Sequence, residues 1–167
     1  MKKSTLSPAL ALLLALCACT GQPDAAKTPE EYTESYRAAI TAARSQEDND
    51  AFPILTDPDD ALAEPIFAML GVTGADMSAY ALSVSPVNIR AYGVALAMPA
   101  SGREDAVRQG FQSFVETQKQ SFQNYLEDQY AVAQAARVET LEDGTVVLVM
   151  CENGDEVLDA LKKSLLT

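Results

Sequence analysis

Val107, Phe111, Phe114, Gln118, Phe122, Tyr125 and Gln129 recur at steps of four, three, four, four, three and four residues. Steps of that kind line one face of an α-helix, and here the face is largely aromatic. Val115, Leu126, Val132 and Ala133 widen the stripe, while the other side is rich in Gln and charge. A helix over about 102–135 with one such face cannot bury it alone. It must lie on a second layer, and the flanking sequence offers strands for that layer.

Tyr80 to Val87 and Ile89 to Met98 are rich in β-forming residues with partial alternation, and Pro86 marks their join. In the second run both alternating sets are mainly apolar toward the far end, as in a central strand. Arg137 to Leu141 and Thr145 to Cys151 are two further strands, with Glu142-Asp143-Gly144 as a hairpin turn between them. Thr28-Pro29-Glu30-Glu31 is a capping-box start for a helix over 29–44, ended by the polar run Ser45 to Asp50. Asp57-Pro58-Asp59-Asp60 opens a second helix that stops at Gly71-Val72, with Pro65 late enough to fray or kink its start. Ser101-Gly102-Arg103-Glu104 is another capping box, and Asn153-Gly154-Asp155-Glu156 starts a closing helix with Val157, Leu158, Leu161 and Leu165 on its apolar face. The predicted order is α-α-β-β-α-β-β-α. It implies an α+β fold: a two-layer sandwich with about four antiparallel strands, the long helix and the C-terminal helix gathered on one face.

The first residues carry an address. Met1-Lys2-Lys3 precedes a Leu- and Ala-rich run from Leu6 to Leu16, the parts of a secretory signal peptide. That run is shorter than the roughly 20 apolar residues a spanning helix needs. Its end, Leu16-Cys17-Ala18-Cys19, resembles the lipobox of bacterial lipoproteins. The resemblance implies acylation of the Cys19 thiol and cleavage between Ala18 and Cys19. Cys17 fits less well, because bulky Leu16 stands where a small residue belongs. Two acyl chains, at about 0.8 kcal/mol per buried CH₂, anchor stably where one is marginal. Residues 1–18 are thus a signal peptide, 19–28 a short tether broken by Gly21 and Pro23, and 29–167 a single domain. The tether reaches at most about 30 Å.

Without residues 1–18 the chain keeps ten basic residues against 24 acidic ones, a formal charge of −14. Such a body is repelled by anionic lipid and lacks the basic patch that begins nucleic-acid binding. Membrane contact is therefore expected through the lipid alone. With Cys19 acylated, only Cys151 remains, so no intramolecular disulfide is available and stability rests on packing.

Three segments carry a family resemblance: Asn88-Ile89-Arg90-Ala91-Tyr92 leading to Met98-Pro99-Ala100-Ser101-Gly102-Arg103-Glu104; Gln118 to Leu126 with Asp128-Gln129-Tyr130; and Glu142-Asp143-Gly144-Thr145-Val146-Val147-Leu148-Val149. Over about 67–166 the chain resembles a clostridial (Firmicutes) lipoprotein family, domain of unknown function 4358. The resemblance implies location and fold class and supplies no catalytic residues. Residues 29–60 match least.

The chain has no histidine, which excludes Ser-His-Asp and Cys-His catalysis and removes the commonest transition-metal ligand. Cys151 has no adjacent basic helper and reads as a buried, inert thiol. No motif singles out a carboxylate pair for glycoside hydrolysis. Glu47-Asp48-Asn49-Asp50 and Asp57 to Asp60 lack the Gly and Glu spacing of a calcium loop and suit capping and linker duty. No catalytic residue, metal or cofactor is expected. The stripe Phe111-Phe114-Phe122-Tyr125 reads as core, and Tyr125 and Tyr130 are the candidate partner contacts if one end of that helix is uncovered.

The expected protein is a non-enzymatic binding or adaptor domain, lipid-anchored through Cys19 on the outer face of the cytoplasmic membrane in a Gram-positive envelope, with an envelope protein as partner. A small-ligand or cation-binding accessory of an envelope transporter is the alternative, and an acid-pair hydrolase the third reading.

Overall fold

The computed structural model describes residues 27–165. The expected signal peptide, Cys19 and most of the tether lie outside the described residues. Among the described residues no helix is long and apolar enough to cross a membrane.

The chain forms α1 (Pro29–Ala43), α2 (Gln46–Ala51) and α3 (Ala63–Leu70), then a 3-10 turn at Gly74–Asp76. It continues with β1 (Met77–Val84), β2 (Gly93–Pro99), α4 (Glu104–Phe122), α5 (Glu127–Gln134), β3 (Arg137–Thr140), β4 (Val146–Met150) and α6 (Gly154–Leu165). The strands make one antiparallel sheet in the order β1-β2-β4-β3. The α+β class, the four antiparallel strands and the order of elements are those the patterns predict.

Local chemistry explains the well-placed boundaries. Thr28 accepts from the Glu31 N–H at 3.2 Å and Glu31 returns the bond to the Thr28 N–H at 2.7 Å, so α1 starts on a complete capping box. Gly71 takes φ 67°, and the N–H groups of Gly71 and Val72 close back onto Ala68 and Phe67 to stop α3. Because α3 begins at Ala63, Pro65 falls in its first turn, where a missing N–H breaks no helical bond.

Layering differs from the expectation. Tyr80, Leu82, Val84, Ala95, Ala97, Val146, Leu148 and Met150 face a core shared with α3, α4 and α5. Their alternating neighbours Ala79, Ala81, Val94, Leu96, Val147 and Val149 face a second core with Tyr36, Ala39 and Ile40 of α1 and Val157, Leu158 and Leu161 of α6. Helices therefore cover both faces, making three layers. The cause is the apolar character of both alternating sets in β2 and β4, since each face needs its own cover. At roughly 1.5–3 kcal/mol per buried large apolar side chain, neither face could be left to water.

The long helix is also interrupted. α4 ends at Phe122, and a turn closed by Tyr125 and Leu126 N–H groups onto the Phe122 carbonyl redirects the chain into α5. At its start Ser101 forms no cap; Arg103 is the cap residue, and Glu104 accepts from the Gly102 N–H at 3.3 Å.

Candidate functional site

At the end of the sheet where β1 finishes, and β2 begins, aromatic and cationic side chains interlock. Phe52, just past α2, stacks on Tyr92 with ring centroids 3.8 Å apart and planes 12° from parallel. The Arg90 guanidinium lies over the Phe52 ring at 5.0 Å and binds Asp48 of α2 at 3.1 Å. Arg44, the residue that ends α1, is buried beneath them. Its Nε donates to Asn49 at 2.7 Å, Nη1 to Ser83 at 2.7 Å and to the Tyr92 hydroxyl at 3.0 Å, and Nη2 to the Phe52 carbonyl at 2.9 Å. The planar fork suits this fan of acceptors, and among the described residues no carboxylate forms an ion pair with it. Burial raises the Tyr92 phenol above its ordinary value, opposed by the bond from Arg44.

Above this cluster opens a cleft of about 500 Å³. Arg44, Glu47, Asp48, Arg90, Glu152 and Glu156 bring both signs of charge to its wall. Cys151, behind it, is buried. Loss of solvation, with Asp48 nearby, pushes its thiol up to about 12, so it is protonated at neutral pH. Among the described residues no group of three metal-ligating side chains is gathered. The two acidic runs are engaged locally. Asp48 pairs with Arg90, Asp57 accepts from the Asp59 N–H at 2.9 Å, and Asp60 accepts from the Leu62 N–H at 2.8 Å.

Beside the cleft runs the β1–β2 connection. Ile89 was expected on a strand, but the ladder closes where the Ser85 N–H meets the Tyr92 carbonyl at 3.1 Å, and β2 starts at Gly93. Val87 and Ile89 consequently stand 54 % and 67 % exposed. The loop is braced at both ends. Ser85 Oγ donates to the Val87 carbonyl at 3.0 Å, and the Ala91 N–H donates to Gln129 Oε1 of α5 at 2.8 Å.

Of the two tyrosines singled out from sequence, Tyr125 is 72 % exposed on the α4–α5 turn and has left the aromatic stripe, whose Phe111, Phe114 and Phe122 are buried. Tyr130 is half-buried and packs against the α3–α4–α5 core. Cys19 lies outside the described residues. The Arg44, Phe52, Arg90 and Tyr92 cluster was not singled out from sequence. Its one sequence-level trace is that Arg90-Ala91-Tyr92 falls in a segment that carries the family resemblance.

The profile of a family described as a domain of unknown function (DUF4358) matches residues 56–151. The chain belongs to this family. No curated protein and no solved structure matches it. The DUF4358 match takes in the whole sheet, α3 to α5, the 85–92 loop and Cys151; it starts earlier than the expected span, at 56 rather than 67, and also stops earlier, at 151 rather than 166. Arg90 and Tyr92 thus belong to the DUF4358 part, whereas Arg44, Asp48 and Phe52 reach the same cluster from helices outside it.

Proposed function

We propose that this chain is an extracytoplasmic lipoprotein of clostridial type, anchored through Cys19, whose domain is a non-enzymatic binding or adaptor module. The observation that carries the binding role is the 85–92 loop, which holds Val87 and Ile89 out in water beside a charged cleft. Two apolar side chains held out side by side on a braced loop form a surface that a partner's apolar side chains could cover. Orientation supports the reading. The tether would join α1 at Thr28, and α1 rises about 22 Å over its 15 residues before reaching Arg44 at the cleft. The loop end of the sheet thus lies at the opposite end of α1 from the point where the tether joins. The two arginines of the cleft are already engaged, Arg90 with Asp48 and Arg44 with four neutral acceptors, which suits holding better than proton transfer.

The cleft itself favours a second reading, a small ligand that carries charge, as expected of a transporter accessory. Photo-crosslinking in intact cells from position 89, followed by mass spectrometry, separates the two. Capture of one stoichiometric partner by the wild-type anchor, absent from a secreted Cys19→Ala form, supports the adaptor. If position 89 captures nothing above background while calcium or an amino acid raises the melting temperature, the small-ligand reading takes its place.

A further inference from the structure

β1 is an edge strand, and its outer edge is only half used. From Ala79 onward the odd-numbered residues of β1 bond to β2, as the flanking Ser85–Tyr92 bond shows, so Leu82 and Tyr80 turn their N–H and C=O groups outward, and a bulge between Met77 and Ala79 shifts the register before them. Leu82 exchanges both bonds with Leu55, at 2.7 and 2.9 Å. The chain then leaves the edge through Thr56-Asp57-Pro58, and no described residue takes the outward groups of Tyr80. Where it departs, a groove of about 540 Å³ opens, lined by Pro29, Glu30 and Glu34 of α1, by Pro58, and by Ser78 and Tyr80 of the strand. Tyr80 is only 7 % exposed, and its hydroxyl is buried with no hydrogen-bond partner among the described residues. The ring itself packs edge-on against Phe67 in the α3–α4–α5 core, so what the strand offers the groove is its main chain.

We propose that this edge, from Met77 to Tyr80, receives an extended, lysine- or arginine-bearing segment of a partner protein as a fifth strand. Pairing would continue the ladder that Leu55 begins, and main-chain bonds would supply most of the affinity. Charge selects the occupant. No lysine or arginine lines the groove; Glu30 stands on its rim, Glu34 beside it is held by Arg37, and Asp57 and Asp59 are close enough to act on the Tyr80 phenol. A second copy would bring the same acids to the same place and be repelled. The chain's own Thr20 to Thr28 contains Gly21, Pro23 and Asp24, a poor strand. This edge is at the far end of β1 from the 85–92 loop, so it stands or falls independently of that surface.

The test uses the full chain and a labelled six-residue peptide of alternating Lys and Val. Saturable binding is expected, with the protein's amide perturbations centred on Ser78 to Tyr80. Replacing each Val of the peptide by Pro, or making Glu30→Gln together with Glu34→Gln in the protein, should weaken binding about tenfold or more. The Pro peptide keeps the result interpretable should the double variant fold poorly. Equal binding of a Glu-Val peptide, perturbations centred elsewhere, or no saturable binding would overturn the proposal. So would a Tyr80 amide already protected from exchange before peptide is added, since the edge would then be filled by the chain itself or a second copy.

Discussion

The Tyr36 hydroxyl on α1 meets the Thr145 hydroxyl at the start of β4, 2.6 Å away and 109 residues later in the chain. Thr145 Oγ1 lies 2.9 Å from Asp143 Oδ2 and gives that carboxylate its only proton, so Tyr36 is the donor of the pair. The bond pins a helix outside the family-matched region to the hairpin turn inside it.

Asymmetric losses follow from that direction. Tyr36→Phe removes a donor and leaves Thr145 its bond to Asp143, for a cost of about 1 kcal/mol. Thr145→Val strands the buried phenol and takes the hydroxyl bond from Asp143, which keeps only the residue-145 N–H at 2.9 Å, for about 2–3 kcal/mol. Urea unfolding of the two variants checks the ranking; a costlier Tyr36→Phe would reverse the assigned direction.

Arg44 is the structural centre of the cleft, so its removal should be felt in stability before any binding assay. Arg44→Met leaves Asn49, the Tyr92 hydroxyl and one lone pair of the Phe52 carbonyl without their donor, and about 3 kcal/mol is the expected loss. Arg44→Lys keeps the charge but cannot spread over four acceptors, and should recover less than half of it. Melting temperatures of the pair test this, and full recovery by Lys would show that charge alone matters.

Cys151 predicts an alkaline signature. Its folded pKa is raised from 9.0 to about 12 by burial first and by Asp48 next. The folded state therefore holds a proton that the unfolded state has released between those values, and stability falls with rising pH across that window. This contribution is complete below pH 9 and is lost as pH approaches 12. Cys151→Ala, once corrected for its cavity, should flatten the alkaline limb of a stability profile. Iodoacetamide should leave the native thiol unmodified at pH 8 and label it promptly in urea.

Much of this architecture is written in short-range chemistry that a reader of the sequence can see. The Thr28–Glu31 box, the Gly71 stop and the Gly144 turn at φ 90° each rest on three or four adjacent residues. What escaped depends on distant partners. The stripe from Phe122 to Gln129 keeps helical spacing across the turn at residues 123–126, because α5 packs Tyr130 and Ala133 on the same core that α4 covers. Spacing alone cannot distinguish one bent face from one straight one. Val87 and Ile89 resemble strand residues because they are apolar, yet they are exposed on a loop, the kind of local inconsistency that marks functional surface. Both apolar sets of β2 were legible, and taken at full weight they required helices on two faces. The Arg44 cluster was hidden, since a lone basic residue at the end of a helix has many ordinary uses.

A tight backbone approach between two helices carries the last prediction. A Cβ added to Gly110, midway along α4, would lie 2.6 Å from the Leu70 carbonyl oxygen and 2.9 Å from that of Gly71. Those atoms belong to the turn that ends α3, where Gly71 is already committed to a left-handed conformation. Neither carbonyl can swing aside without undoing that stop. Helix propensity taken alone says that Gly110→Ala should stabilise α4 by about 1 kcal/mol. The contact should reverse the sign and cost about 2 kcal/mol net, by forcing α3 and α4 apart. Gly154→Ala is the internal control, because a Cβ there meets Val149 at an ordinary 3.5 Å. It should be neutral or mildly stabilising under the same denaturation assay. If Gly110→Ala matched it, the α3–α4 crossing would have to be looser than the backbone distances imply.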